Sequence, residues 1–271
     1  MQIDDNSRES AKFSRKLPIL IILGLLIIRI PILVIINLYI NPTPEWLVIT
    51  VETSVYFFIA ILIYIEKNNL YQFHIDKISI ALFIIFGTVL RTNTFNNSHL
   101  NIFLSIFWII ALCLLLALRK DFSKIPAIKN KDYIWFIIGA SIAILLSIIV
   151  TMPGILQIKD NYSEPFPNVM VLTLSGILGL MHEMSHSSIF EEPIFRGFLW
   201  GYLRNLGLKE NYVWIIQAIL FWIAHINYID KPFTFYFTVP LMGLVLGLLA
   251  WKSRSISTSM LTHAIYNSAK Y

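Results

Sequence analysis

The stretch LPILIILGLLIIRIPILVIINLYI (Leu17–Ile40) is an apolar run of 24 residues with a single charge, at Arg29. A membrane-spanning helix needs roughly 20 predominantly apolar residues, so this run is long enough to cross a bilayer. Basic residues precede it, but it exceeds the roughly 7–15 apolar residues of a secretory signal peptide, and no small-residue cleavage site follows. We therefore expect an uncleaved membrane anchor, with residues 1–16 as a cytoplasmic tail.

Composition extends this interpretation to the whole chain. Hydrophobic residues make up 57% of the 271 residues and charged residues 14%, against about 45–50% and about 25% in soluble globular domains. The sequence predicts an all-α, polytopic membrane protein of eight or nine transmembrane helices. Cys113 is the single cysteine, so neither an intramolecular disulfide nor a cysteine metal site can form. The apolar runs lie at Leu17–Ile40, Trp46–Ile65, Ile78–Leu90, Leu100–Leu118, Tyr133–Met152, Val169–Met181, Val213–Ile229, Phe233–Trp251 and Ile256–Tyr266.

The net charge of +5 is distributed between these runs in a pattern that predicts topology. With the N-terminus in the cytoplasm, sixteen of the 21 lysines and arginines fall on the inner side, as the positive-inside rule expects. We therefore predict a multi-pass protein of the cytoplasmic membrane with the lipid bilayer, and no nucleic acid, as its partner. These inner residues are Arg8, Lys12, Arg15, Lys16, Lys67, Lys77, Arg119, Lys120, Lys124, Lys129, Lys131, Arg196, Arg204, Lys209, Lys252 and Arg254.

Ionisable and amide side chains stand out in the apolar C-terminal half, because such groups are costly at membrane depth and are usually functional. Glu192 and Arg196 are spaced i and i+4 in the order that favours an ion pair, while Glu191 is rotated about 100° from Glu192. His263 and Asn267 share one helix face. The candidate site residues are Glu191, Glu192, Arg196, His225, His263 and Asn267.

Three motifs in order resemble the CPBP or Abi intramembrane proteases, which include the type II CAAX prenyl endopeptidases. They are EEPIFRG (Glu191–Gly197), LFWIAH (Leu220–His225) and SISTSMLTHAIYN (Ser255–Asn267). The resemblance covers about residues 169–267, and we divide the chain into N-terminal transmembrane helices at 17–168 and a catalytic core at 169–271. It implies an endopeptidase that hydrolyses a peptide bond in a membrane-associated peptide or protein.

The resemblance also implies a role for each site residue. Glu191 would be the catalytic carboxylate, His225 its partner in activating water, and His263 with Asn267 the oxyanion-stabilising pair. Glu192 and Arg196 would mainly position the others. We favour no obligatory metal, although zinc is the alternative, with Glu191, His225 and His263 as its ligands.

The richness in Ile, Asn and Lys and the short loops look bacterial. In bacteria, prenylated substrates are not expected, and the resemblance implies bacteriocin immunity, peptide maturation or signalling instead.

A second signature lies just upstream of Glu191. His182-Glu183-Met184-Ser185-His186 spells HExxH, which on a regular helix places two histidines on one face for zinc, with the glutamate as general base. The polar residues of this segment also interrupt a helix that is continuously apolar in the resembled family. A zinc metalloprotease that uses residues 182–186 is therefore an alternative hypothesis.

Two non-enzymatic classes complete the alternatives. A membrane immunity or scaffold protein of the same fold would bind a partner without cleaving it, and a transporter would favour inverted repeats, of which we find none.

The predicted topology also bears on where single residues lie. It places Glu191 towards the cytoplasmic side of one span and His225 towards the far end of the next, so their convergence requires tilted or offset helices. His74 and His99 fall in polar segments, where we expect them to be solvated.

Overall fold

The computed structural model describes residues 19–29, 31–32, 35–36, 39–40, 44–94, 100–121, 123–159 and 169–269. Every regular element within these ranges is helical, which confirms the all-α prediction. The predicted tail 1–16 and His99 lie outside the described residues. The helices are α1 (Ile19–Arg29), α2 (Glu45–Ile65), α3 (Lys77–Thr94), α4 (Leu100–Ala117), α5 (Ile134–Lys159), α6 (Val169–Glu183), α7 (Ile189–Glu192), α8 (Trp200–Asn205), α9 (Glu210–Ala224), α10 (Val239–Ser253) and α11 (Ile256–Ser268).

Helices α6, α7 and α8 form one continuous helical rod. Two π-helical segments, Met184–Ser188 and Pro193–Leu199, join them without a loop. Pro193 has no backbone N–H to donate to the preceding turn, so a regular α-helical ladder is interrupted at this position, and the wider π turns carry the chain past it. The predicted short run Val169–Met181 is thus only the first part of a much longer helix.

The C-terminal helices pack around this rod. Helix α11 contacts α5, α6 and α10, and α10 also packs along α9. Gly243 of α10 approaches the backbone of Ala218 on α9, where a Cβ atom would lie 3.2 Å from the Ala218 carbonyl oxygen. This close approach fits the small-xxx-small spacing of Gly243 and Gly247, which permits helices to pack closely.

The outer surface of the bundle is apolar. By length and composition, two helices of the described ranges can cross a membrane, Trp46–Ile65 and Thr234–Ser253, while four further apolar helices are shorter. The count of eight or nine spans is therefore not confirmed. Large apolar side chains are nevertheless exposed on α5, α6 and α9, among them Ile137, Leu178 and Ile219. Apolar helices with exposed apolar faces suggest a membrane protein.

Candidate active site

Glu191 and His225 meet although they come from different helices. His225 Nε2 lies 3.5 Å from Glu191 Oε2, and both residues are buried. The rod that carries Glu191 runs fourteen residues further to Asn205, and α9 returns over fifteen residues from Glu210 to Ala224, just before His225. Because both lengths are similar, the two side chains reach the same level of the bundle. The expectation that Glu191 and His225 lie towards opposite ends of neighbouring spans is therefore wrong, because the helix that begins with Val169–Met181 continues to Asn205 and holds Glu191 well inside it.

The hydrogen bond of His225 Nδ1 determines whether His225 Nε2 donates or accepts. His225 Nδ1 lies 2.7 Å from the Phe221 carbonyl oxygen, one turn back on α9. A carbonyl only accepts hydrogen bonds, so Nδ1 carries the proton. In the neutral ring, Nε2 is then an acceptor that faces the acceptor oxygens of Glu191. A water molecule that donates one hydrogen bond to each group would satisfy both.

Glu192 belongs to a separate, fully buried network. Its Oε1 accepts from Arg196 Nη1 at 3.2 Å, which confirms the predicted i, i+4 ion pair, and it lies 2.9 Å from His263 Nδ1. Arg196 also donates to the Gly243 carbonyl at 3.4 Å, and its guanidinium lies 4.1 Å from the ring centre of Phe221. The arginine offsets the buried charge of the carboxylate, which in turn holds the His263 ring.

Asn267 has partners that the sequence did not indicate. Its Nδ2 donates to Glu183 Oε2 at 2.9 Å and to Ser187 Oγ at 3.2 Å. Ser187 Oγ also donates to Glu183 Oε2, at 2.8 Å. The amide thus projects from the same face of α11 as His263, but a carboxylate from the rod fixes its orientation. Glu183 is the residue of the HExxH motif that joins the site.

A cavity of about 400 Å³ brings the predicted residues together. Of the six, Glu191, His225, His263 and Asn267 line it, while Glu192 and Arg196 lie behind the wall without any exposed surface. The lining also includes Glu183, which the HExxH alternative names as a general base, and four side chains that we did not predict: Ser187, Tyr228, Lys231 and Thr234. Tyr228 has a signal in the sequence, because it follows His225 by three residues and so lies close to it in a helical turn.

The histidines of HExxH do not form a metal site in this geometry. The rings of His182 and His186 stack with their centres 4.1 Å apart and their planes 27° apart. The lone pair of a ring nitrogen lies in the plane of its ring, and two stacked, nearly parallel planes share no point close enough to both rings for one zinc ion to bind both. His186 Nδ1 is also engaged by the His182 carbonyl, at 3.0 Å. Among the described residues, no group of three or more His, Cys, Asp or Glu side chains is placed to hold a metal ion.

A buried polar clamp fixes the start of α11, the helix that carries His263 and Asn267. Asp76 caps α3 by accepting from the backbone N–H groups of Ile78 and Ser79, at 2.7 and 3.0 Å. Its other oxygen accepts from the hydroxyls of Ser255 and Ser257 at the N-terminus of α11. Burial raises the pKa of Asp76, and the hydrogen bonds from Ser255 act in the opposite direction.

His74 completes this clamp and corrects a prediction. It is 3% exposed rather than solvated, and it occupies the left-handed region with φ of 54°. Its carbonyl accepts from Ile256 N at 2.9 Å, and its Nε2 accepts from Arg204 Nη2 at 2.8 Å. Burial, followed by the positive charges of Arg204 and Arg254, lowers the pKa of His74 to about 3.

Comparison with known proteins agrees with the motif resemblance. Residues 177–269 match the family model described as Type II CAAX prenyl endopeptidase Rce1-like, which confirms the resemblance over about a third of the chain. The matched segment lies within the predicted core 169–271 and contains all six candidate residues. No curated protein and no solved structure matches the chain.

Proposed function

We propose that this protein is an intramembrane endopeptidase that hydrolyses peptide bonds in membrane-associated peptides or proteins. The observation that carries the proposal is the approach of Glu191 to His225, with the other His225 nitrogen committed to the Phe221 carbonyl. This pair can orient and deprotonate a water molecule, which is the central step of peptide hydrolysis. The match to a family of CAAX-type proteases supports the same chemistry.

In the proposed reaction, residues that line the cavity act in successive steps. Water held between Glu191 and His225 Nε2 attacks the scissile carbonyl carbon while Glu191 takes its proton. Negative charge develops on the carbonyl oxygen, and a protonated His263 donates to that oxygen through Nε2 because its Nδ1 is held by Glu192. Glu191 then transfers the proton to the leaving amine, which breaks the C–N bond.

Glu192 and Arg196 have a supporting role in this mechanism. The Glu192 carboxylate stabilises the positive charge of His263 in its buried position, and Arg196 neutralises that carboxylate when His263 is neutral. Asn267 is proposed as the second donor to the developing oxyanion. In that role its amide exchanges one of its bonds to Glu183 or Ser187 for the substrate oxygen.

The experiment is a cleavage assay with purified protein in detergent and a library of membrane peptides, with products identified by mass spectrometry. Wild type, Glu191→Gln, His225→Ala and His182→Ala are assayed in parallel, each with and without a strong chelator. We expect cleavage by wild type and His182→Ala, with no effect of the chelator, and none by Glu191→Gln or His225→Ala. Activity that survives in Glu191→Gln but is lost in His182→Ala and under chelation would assign the reaction to HExxH. Binding of peptides without any cleavage would favour a scaffold or immunity protein.

A further inference from the structure

One end of the helix bundle is defined by contacts between helix termini. The Lys67 ammonium after α2 lies 3.3 Å from Asp121 after α4, and the Lys77 N–H donates to the Pro126 carbonyl before α5. Arg204 at the end of α8 contacts both His74 and Glu210 at the start of α9. The start of α11 joins them through the bond from Ile256 to His74. We call this the basic end.

Cations concentrate there. All the described lysines and arginines that the sequence assigned to inner loops belong to connections or termini at this end, except Arg196 inside the bundle. Several are exposed, including Lys124, Lys129, Lys252 and Arg254. At the opposite end, the connection 225–233 between α9 and α10 carries one cation, Lys231, next to Asp230. By the positive-inside rule, the basic end faces the cytoplasm.

The catalytic cavity lies towards the opposite end. Its lining on α10 reaches no further than Met242, eleven residues from the last residue of that helix at the basic end, which is about 16 Å of helix. His263 lies seven residues past Ile256, or about 10 Å into the bundle. Between the cavity and the basic end, Arg196 and Trp200 are fully buried. Protein therefore separates the site from the cytoplasmic surface.

Exposure along the cavity identifies its opening. Glu191 is 8% exposed and His263 5% exposed, Tyr228 and Thr234 are intermediate, and Lys231 is exposed to the surroundings. Each of these residues lines the same cavity. The cavity thus opens beside Lys231, at the connection 225–233, and the reacting carboxylate lies at its inner end.

We infer that the site takes its substrate from the extracytoplasmic side of the membrane: a peptide, or the exported segment of a membrane-anchored protein, that enters beside Lys231. The inference rests on the proposed peptidase function and adds the substrate class. It separates this chain from an enzyme that trims the cytoplasmic tails of lipid-modified proteins, because such tails would meet the basic end and not the cavity.

The direction of opening is tested by cysteine labelling, which needs no catalytic activity. Cys113 is replaced by serine, and Lys231→Cys and Lys252→Cys are introduced separately as exposed positions at opposite ends. A membrane-impermeant maleimide is added to right-side-out and to inverted membrane vesicles from the producing cells. We expect Lys231→Cys to be labelled only in right-side-out vesicles and Lys252→Cys only in inverted ones. The reverse pattern would overturn the inference.

The side of cleavage is tested with a water-soluble peptide library added to the same two vesicle preparations. Right-side-out vesicles with the wild-type protein should cleave peptides that vesicles with Glu191→Gln leave intact, and inverted vesicles should not. Cleavage by inverted vesicles alone would overturn the extracytoplasmic substrate while leaving the peptidase function in place. Failure of the peptidase function is recognised separately, because the detergent-solubilised protein would then cleave nothing.

Discussion

Glu191 and Glu192 are adjacent in the chain, yet their carboxylates face different histidines, His225 at 3.5 Å and His263 at 2.9 Å. Glu191 lines the cavity, whereas Glu192 is fully buried against Arg196. Two neighbouring residues of the same type therefore have separable roles, one in chemistry and one in holding the site. Substitution of each in turn should affect different measurements.

Replacement of Glu191 should abolish activity without unfolding the protein. Glu191→Gln keeps the shape of the side chain but removes the base, and positioned general bases contribute about 10²–10⁴-fold to rates. We expect kcat to fall by at least about 10²-fold, with thermal unfolding in detergent close to that of wild type. A variant that keeps its activity would remove Glu191 from the mechanism.

Replacement of Glu192 should lower stability first. Glu192→Ala leaves Arg196 buried and without its ion-pair partner, and breaking a buried pair on one side costs about 3–5 kcal/mol. The measurement is the free energy of unfolding in detergent by denaturant titration, with Glu191→Ala as the matched control. Equal destabilisation by the two variants would contradict the separate networks.

Whether the sequence predicts an interaction of this site depends on how far apart the two partners lie along the chain. The Glu192–Arg196 pair and the common face of His263 and Asn267 follow from helix periodicity alone, so they are predictable. The bonds of Asn267 to Glu183, and of His74 to Arg204 and α11, join residues far apart in the chain. Local pattern does not encode such contacts, and for this reason His74 was wrongly expected to be solvated. The depth of Glu191 in the bundle depends on a helix that continues through π turns past Pro193. The pattern of apolar runs does not reveal this continuation.

Substitution of the HExxH glutamate should lower activity, whereas substitution of either HExxH histidine should change it little. Glu183 orients Asn267 by accepting from its amide. Glu183→Ala should therefore lower kcat by about 10-fold or more, up to the roughly 10²–10³-fold that the loss of an oxyanion donor itself costs. His182→Ala and His186→Ala should change kcat little, because the stacked rings do not line the cavity. Steady-state kinetics of the three variants provide the check. Equal losses in all three would indicate a zinc-type HExxH site.

Acidification should destabilise the fold through His74. Its pKa is lowered to about 3 in the folded protein, against about 6.5 in an unfolded chain. The folded state therefore favours the neutral ring, so the stability contribution is complete above pH 6.5 and is lost as pH falls from about 6.5 towards 3. Between pH 7.5 and 5.5, we expect a loss of about 1 kcal/mol in the free energy of unfolding.

His74→Asn is the matched control for this pH effect, because asparagine tolerates the left-handed backbone at this position but does not titrate. Asp76, whose pKa is raised by burial, titrates in both proteins. The difference between their pH profiles therefore isolates His74. Parallel profiles for wild type and His74→Asn would show that the histidine is not the acid-sensitive group.

Asp76 should control the position of α11, although it is far in the sequence from the residues that line the cavity. Its carboxylate joins the cap of α3 to the hydroxyls of Ser255 and Ser257, so Asp76→Ala removes a helix cap and leaves buried donors without an acceptor. A lost cap costs about 1 kcal/mol. Ser255 Oγ and Ser257 Oγ lie 2.6 Å apart and can bond to each other, so one of the two hydroxyls is left unsatisfied, which costs about 1–3 kcal/mol. We expect a loss of about 2–4 kcal/mol in the free energy of unfolding.

The same change should also reduce kcat more than it raises KM, because a shift of α11 moves His263 and Asn267 relative to Glu191. Asp121→Ala is the control at the same end of the bundle, since Asp121 pairs with Lys67 and Lys124 on the surface, where ion pairs contribute little. Its stability and kinetics should match those of wild type. If Asp76→Ala lost stability but kept its full kcat, the clamp would hold the fold without positioning the oxyanion-stabilising residues.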